Sequence, residues 1–183
     1  MSSIVLSGDT SGTVTVAVPA VAGTNTVTIA AQTGTLNAAG PAFSAYFTTN
    51  QSVTNATFTK IAFNLERFDT NNNFDNSTNY RFTPTVAGYY QISGCITLNN
   101  AAALAGLYAI IYKNGAAYAM SSAAANTQTY SAISVNSLVY CNGSTDYIEL
   151  YVFNSASTNY TTVANVFGTG DGTYMSGSLV RGA

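Results

Sequence analysis

From Gly40 onward the chain alternates. Apolar and polar residues take turns in short runs, one run to roughly every ten residues, and clusters of Asn, Gly, Ser and Thr separate the runs. A period of two puts successive side chains on opposite faces of an extended strand, and no stretch carries the 3.6-residue spacing of an amphipathic helix. Strands are predicted near 43–49, 58–65, 80–83, 87–98, 106–113, 129–140, 145–153, 160–166 and 174–181. Within 87–98, Tyr90, Ile92, Ile96 and Leu98 share one face, while Tyr89, Gln91, Ser93, Cys95 and Thr97 share the other. Ala101–Ala103 and Ala123–Ala125 have helical propensity, but Asn and Ser flank them and they are read as loops. About eight or nine strands at this spacing predict an all-β fold, a two-sheet sandwich of the jelly-roll kind.

What solvates such a sandwich is unusual. Five Lys+Arg and seven Asp+Glu make about 7% of the 183 residues charged, against about 25% in ordinary soluble domains. Thirteen Tyr, nine Phe and 47% hydrophobic residues exclude intrinsic disorder, which combines high charge with few aromatics. No stretch approaches the roughly 18 uninterrupted apolar residues that span a bilayer, so no membrane insertion is expected. A net charge of −2 with five scattered cations offers no footprint for nucleic acid, whose phosphates demand clustered Lys and Arg. Neutral polar groups do the solvating: Ser, Thr and Asn supply 63 of 183 residues. Five Asn-x-Ser/Thr sequons, at Asn50, Asn55, Asn76, Asn142 and Asn159, are no more than that composition produces by chance.

Residues 1–40 differ in texture, with no aromatic residue and one charge, Asp9. Thr13-Val14-Thr15-Val16 and Thr26-Val27-Thr28-Ile29 each read as a short strand, with Pro19 and Val21–Asn25 supplying the turn between them. Two such strands bury too little apolar surface to stand alone, so this segment is predicted to be a β-arm that intertwines with copies of itself or docks on another surface. The Met1–Leu6 segment lacks a basic n-region, and Ser7, Gly8 and Asp9 break its apolar run; Sec-type export is not expected. Cys95 and Cys141 could make one bridge at most and are read as free thiols.

Specific residues resemble the C1q/TNF-type globular domain, a ten-stranded jelly roll, over 41–183. Ala42-Phe43-Ser44-Ala45 resembles that family's first strand, and Phe74-Asp75-Asn76-Ser77-Thr78-Asn79 its aromatic-Asp turn, with Asn79 where the family has Gly. Phe82 followed by Pro84-Thr85-Val86-Ala87-Gly88-Tyr89-Tyr90 resembles its long-strand entry. Tyr112-Lys113-Asn114-Gly115 is similar to its hairpin, and an Asn-Gly pair suits a type I′ turn. Leu138-Val139-Tyr140, Gly143 and Asp146–Leu150 resemble its strand, turn and strand, although Ser144 and Thr145 separate the Gly from the Asp; Ser176-Gly177-Ser178-Leu179-Val180 resembles its last strand. The resemblance implies a homotrimer, three jelly rolls packed about an axis through aromatic and aliphatic side chains. Thr33-Gly34-Thr35-Leu36, closing the Thr/Val segment, resembles the leaders of phage virion proteins, among which fibres and decoration proteins often end in a C1q-like knob. Secreted animal C1q proteins are the competing source, but no Gly-x-y stalk is present.

Chemistry for catalysis is thin. Without His there is no Ser-His-Asp or Cys-His pair and no imidazole ligand. Glu66, Asp69 and Asp75 are close in sequence and could in principle serve as a carboxylate pair, but Asp69 and Asp75 bracket Thr70–Asn73, a run of turn formers. Asp69, Asn71 and Asn73 take the first three liganding places of an EF-hand loop, yet Phe74 stands where Gly is required and Tyr80 where Glu belongs. Gly168-Thr169-Gly170-Asp171-Gly172 lies between strands and is read as a loop, not a phosphate cradle. No catalytic, cofactor or metal residue is predicted, and the protein is not expected to be an enzyme. Tyrosine combines a rigid contact face with a hydrogen-bonding tip; Tyr118, Tyr130 and Tyr160 are the candidate ligand-facing residues among a set that includes Tyr108, Tyr151 and Tyr174. The expected role is a phage virion structural protein: a trimeric surface knob anchored through residues 1–40 to a major capsid or tail protein, as a capsid decoration protein or head fibre. A tail-fibre knob recognising a host surface glycan or protein is the alternative, and a secreted C1q-like binding module a lesser one.

Overall fold

The computed structural model describes residues 3–7, 11, 13–17, 40–99, 106–124, 129–155, 158–164 and 172–183. The chain divides into two units, Met1–Gly34 and Thr35–Ala183. In the first, β1 (Ser3–Ser7) pairs antiparallel with β2 (Thr13–Ala17), setting Ile4 opposite Val16 and Leu6 opposite Val14. The alternation at Thr13–Val16 is thus a strand, but its partner is the segment before it; the Thr26–Ile29 repeat and the Pro19–Asn25 turn lie outside the described residues.

In the second unit two antiparallel sheets stack. One runs in the order β4 (Ser52–Val53), β14 (Tyr160–Thr162), β9 (Gly88–Asn99), β15 (Tyr174–Gly182), β3 (Ala42–Tyr46) and β6 (Leu65–Asp69), with β12 (Tyr130–Cys141) paired along the whole of β9. The other runs β11 (Ala116–Ala124), β10 (Gly106–Lys113), β13 (Ile148–Asn154), β8 (Arg81–Phe82) and β7 (Phe74–Asp75), with β5 (Phe58–Lys60) also on β13. No helix occurs among the described residues.

Alternation decides what enters the core. Tyr90, Ile92, Ile96 and Leu98 of β9 are fully buried, facing Leu107, Ala109 and Ile111 of β10 and Ile148, Leu150 and Val152 of β13. Each such side chain contributes about 1.5–3 kcal/mol on burial. At one end Phe43 stacks on Phe82 at 4.3 Å and on Phe74 at 5.2 Å, and Phe82 meets Tyr90 edge-on at 5.5 Å. The Tyr90 hydroxyl donates to the Val86 carbonyl at 2.7 Å, and burial pushes its pKa up to about 12. Gly177 lets β15 cross this cluster closely, since a Cβ there would stand 2.6 Å from Ile92 Cδ1 and 2.8 Å from Phe43 Cε1.

Four predicted elements change. The strand expected over 58–65 is two strands in different sheets, β5 and β6, because Ile61 and Phe63 between them turn fully into the core. Ala123 and Ala124 are not loop; they end β11, which pairs with β10 from Ala116↔Lys113 to Ala124↔Gly106 with one register shift between Ile111 and Tyr112. Cross-strand pairing overrides alanine's weak strand preference, and Ala101–Ala103 lie outside the described residues. The strand expected from 145 begins at Ile148, because the Asn142 side-chain oxygen accepts from the backbone N–H of Ser144, Thr145 and Asp146, each at 3.0 Å, and holds them in a turn. Positive φ falls on Tyr80 at 49° rather than on Asn79.

The Asn114-Gly115 pair forms the two-residue connection between β10 and β11, with φ of 53° and 77°; both central residues of a type I′ turn need this region, and glycine enters it without strain.

Candidate functional site

Strands β12, β9 and β15 place every second side chain on the side of their sheet away from the core. Cross-strand registers set Tyr140 beside Tyr89, then Leu138, Gln91 and Ser178 in one row, and Asn136, Ser93 and Ser176 in the next. Tyr89 is 42% exposed, Leu138 49%, Tyr140 40% and Val180 57%. The Tyr89 and Tyr140 rings lie 5.4 Å apart. Tyr89, Leu138, Val180, Arg181, Gly182 and Ala183 line an open concavity of about 570 Å³ at the end of this face. Single exposed apolar residues are ordinary, but a contiguous group marks a contact surface.

Charge is sparse on this face: Arg181 lies beside Tyr89 in register, and Lys113 Nζ lies 5.7 Å from the centre of the Tyr140 ring. Arg67 stands on β6, where its Nη1 donates to Ser44 Oγ at 3.0 Å and its guanidinium lies 5.2 Å from the Tyr46 ring centre and 5.8 Å from that of Tyr174. Arg181 ends β15. The remaining described charges belong to the other sheet, to loops or to the rim. Lys60 pairs with Glu149 at 2.7 Å, and Lys113 with Asp146 at 3.0 Å. Arg81 lies 4.2 Å from the centre of the Tyr147 ring.

The turns are held by carboxylates and amides. Asp75 accepts from the backbone N–H of Ser77, Thr78 and Asn79 and from the side chains of Ser77 and Asn79. The backbone donors, Thr78 and Ser77 foremost, hold its carboxyl well below the usual range. Asp69 accepts from Asn71 N at 3.2 Å and Phe74 N at 2.6 Å, so both of its oxygens serve the turn that was compared with a calcium loop. No group of three or more potential metal ligands occurs among the described residues. Glu66 is raised by burial and by Asp69. Asn114 Nδ2 donates to Asp146 Oδ1 at 2.7 Å, while Asn114 Oδ1 accepts from Tyr147 N at 2.9 Å, and the Asn114 bond heads the causes that lower Asp146.

The residues singled out from sequence go to three places. Phe43, Phe74, Phe82, Gly88, Tyr90 and Gly177 are within the sandwich or at its backbone crossings. Asp75, Asn114 and Gly115 build turns, and Tyr89 and Ser176 stand on the β12–β9–β15 face. Of the candidate ligand-facing tyrosines, Tyr118 is 49% exposed and its hydroxyl donates to the Leu138 carbonyl at 3.3 Å; Tyr130 is half-buried at the start of β12. Tyr160 is only 7% exposed and cannot face a ligand, because β14 packs between β4 and β9 and turns that ring inward. Both cysteines are free thiols, and burial pushes Cys141 up to about 11. Sequence reading missed Leu138, Tyr140 and Val180 as surface; their alternation with buried Val139 and Cys141 and half-buried Leu179 was the available cue.

No family model matches the chain, and no curated protein sequence matches it. Solved structures do match. The globular domain of zebrafish complement 1qA superposes with a TM-score of 0.58 at 14% identity, covering 79% of this chain and 100% of that one. The fold is the C1q/TNF-like jelly roll. Murine APRIL gives a TM-score of 0.57 at 7% identity, over 78% of this chain and 100% of that one. PRD1 vertex protein P5 gives 0.56 at 15% identity, over 77% of this chain and 97% of that one. The same jelly-roll topology is therefore reached by very different sequences, which a fold carried by strand alternation and a few turn residues permits. No helix of the described residues is long and apolar enough to cross a membrane.

Proposed function

We propose that this chain is a non-enzymatic structural protein of a phage particle, a homotrimeric knob formed by residues 41–183 and anchored by an arm of residues 1–40. The observation that carries the reading is the β12–β9–β15 face, where Tyr89, Leu138, Tyr140 and Val180 stand exposed with Arg181 beside Tyr89 and few other charges near. Apolar and aromatic cores rimmed by polar groups are what protein interfaces are made of, and two further copies of the chain are the partner that the C1q-like resemblance implies. Low overall charge fits a surface that is covered by its own kind, since an isolated domain this poor in charge has little protection against indiscriminate association.

The fold it shares with a vertex protein supports a place on the particle surface. The arm, too small to stand alone, suits attachment to a major capsid or tail protein. On this reading the chain serves as a capsid decoration protein or head fibre, and a tail-fibre receptor-binding knob is the alternative. Cryo-electron microscopy of the particle tests the reading: density on the capsid lattice is expected, and density only at the tail tip replaces it with the receptor-binding role. In solution, three chains of 19.0 kDa should run together at about 57 kDa, and a species that stays at 19.0 kDa at micromolar concentration ends the trimer proposal.

A further inference from the structure

We infer that the outward side of the β13 sheet, together with the bowl beside it, binds a neutral, hydroxyl-rich oligosaccharide. The bowl, about 510 Å³, lies between the Glu66-bearing strand and the Asn72–Thr85 loops, and Glu66, Asn72, Asn76, Asn79, Arg81 and Thr83 are among its lining. Its chemistry excludes several ligand classes. An apolar ligand finds almost no apolar wall. A polyanion finds one guanidinium beside the carboxylates of Glu66 and Asp75. A metal ion finds Asp75 already accepting from five donors.

What remains is unspent hydrogen-bonding capacity. Among the described residues the Glu66 carboxylate and the side-chain amides of Asn72 and Asn76 make no hydrogen bond within the chain. Arg81 stacks at 4.2 Å on Tyr147, which covers one face of the guanidinium and leaves the N–H donors of its edge for a ligand. Acceptors, amides and a fixed donor fork in one concavity match the mixed donors and acceptors of sugar hydroxyls.

Aromatic rings continue from the bowl. Lys60 Nζ donates to the Asn79 carbonyl at 2.9 Å and to Glu149 Oε1 at 2.7 Å, tying the rim to the sheet. Beside Lys60 in register, Tyr151 stacks on Tyr112 at 4.0 Å; Phe58 and Phe153 lie 4.7 Å apart, and Tyr108 meets Phe153 at 5.8 Å. Phe58 is 55% exposed. Flat rings next to a few convergent polar groups are the makings of a small-molecule site, and rings of this kind accept the C–H faces of a sugar. Lys60 and Glu149 neutralise each other, so no net field favours a charged partner.

The inference rests on the trimer proposal only in needing this sheet to stay outside the interface. The test uses the full chain, with cellohexaose, maltohexaose and chitohexaose as probes in saturation-transfer NMR and a printed array of neutral and acidic saccharides alongside. At least one neutral oligosaccharide should bind, and Arg81→Ala and Phe58→Ala should each weaken it roughly tenfold. Thr49→Ala, in the exposed loop between β3 and β4, should leave binding unchanged. Asn76→Ala serves as a third variant should Arg81→Ala fail to fold. No binding to any saccharide, capture of acidic saccharides alone, or binding that survives both Arg81→Ala and Phe58→Ala overturns the inference. Mass in solution separates the two failures: a 19.0 kDa species indicts the trimer, whereas an intact trimer without sugar binding indicts this site alone.

Discussion

On the β13 sheet Tyr112 stacks on Tyr151 at 4.0 Å, Phe58 on Phe153 at 4.7 Å, and the Lys60–Glu149 pair sits among them. On the β9 sheet Tyr89 and Tyr140 touch each other, but Leu138 and Val180 beside them remain about half exposed and no ion pair joins them. Both sheets turn tyrosine outward, yet on the β13 sheet rings and an ion pair engage one another and leave Phe58 and Met120 exposed at the edges, while on the β9 sheet Leu138 and Val180 stand exposed beside a single tyrosine pair. Ile110 makes the contrast concrete. It faces outward on β10 but is 1% exposed, opposite Tyr151 and Met120 in register, and stands apart from the main core cluster. On the β13 sheet outward side chains thus bury Ile110 locally, whereas among the described residues no outward aliphatic side chain of the β9 sheet is covered in this way. The difference teaches that residue type alone does not mark an interface; what matters is whether neighbours in the same chain already cover it.

The largest expected effect comes from charging the open face. Leu138→Asp would bury carboxylates at the proposed trimer contact, each at a cost of several kcal/mol, and should yield a folded 19.0 kDa species by light scattering. Phe58→Asp on the other sheet should leave the trimer intact; a trimer that tolerates Leu138→Asp breaks the contrast between the faces.

Next in size is the covered face's own ion pair. Glu149 keeps a side chain 6% exposed, so Lys60→Met strands its charge and should cost about 2–4 kcal/mol in urea unfolding. Gln91→Met on the open face should change unfolding of the subunit by less than about 0.5 kcal/mol. The turn that joins β10 to β11 comes third. Asn114→Ala removes the bonds to Asp146 and Tyr147 and places alanine at φ 53°, which should cost about 2 kcal/mol.

The smallest effect is on pH dependence. Asp75 is held below its ordinary 3.8 by its backbone donors, so its contribution is fully present above that value and is lost as pH falls through the folded-state pKa. Thermal midpoints should therefore drop on acidification below about pH 4, and Asp75→Asn should flatten that drop; an unchanged acid profile would show that Asp75 carries none of it.

Much of this was legible in the sequence. The alternation in 87–98 assigned each β9 residue its face, and Asn114-Gly115 announced its turn, because strand periodicity and left-handed turn chemistry are local properties of neighbouring residues. The ligand-facing assignment of Tyr160 failed for the opposite reason: its ring turns inward because β14 lies between β4 and β9, a fact of long-range pairing. Likewise Ala123 and Ala124 look like loop until β10 pairs with them.

The sequence by itself determined an all-β chain with a charge-poor surface and specific turns, since each follows from residue types a few positions apart. Only the tertiary structure decided that Phe58 and Tyr108 both lie against Phe153, that Lys60 reaches Glu149, and that Leu138 lies beside Gln91 about half exposed. Those relations join residues distant in the chain, and the register between strands, which no local pattern encodes, brings them together.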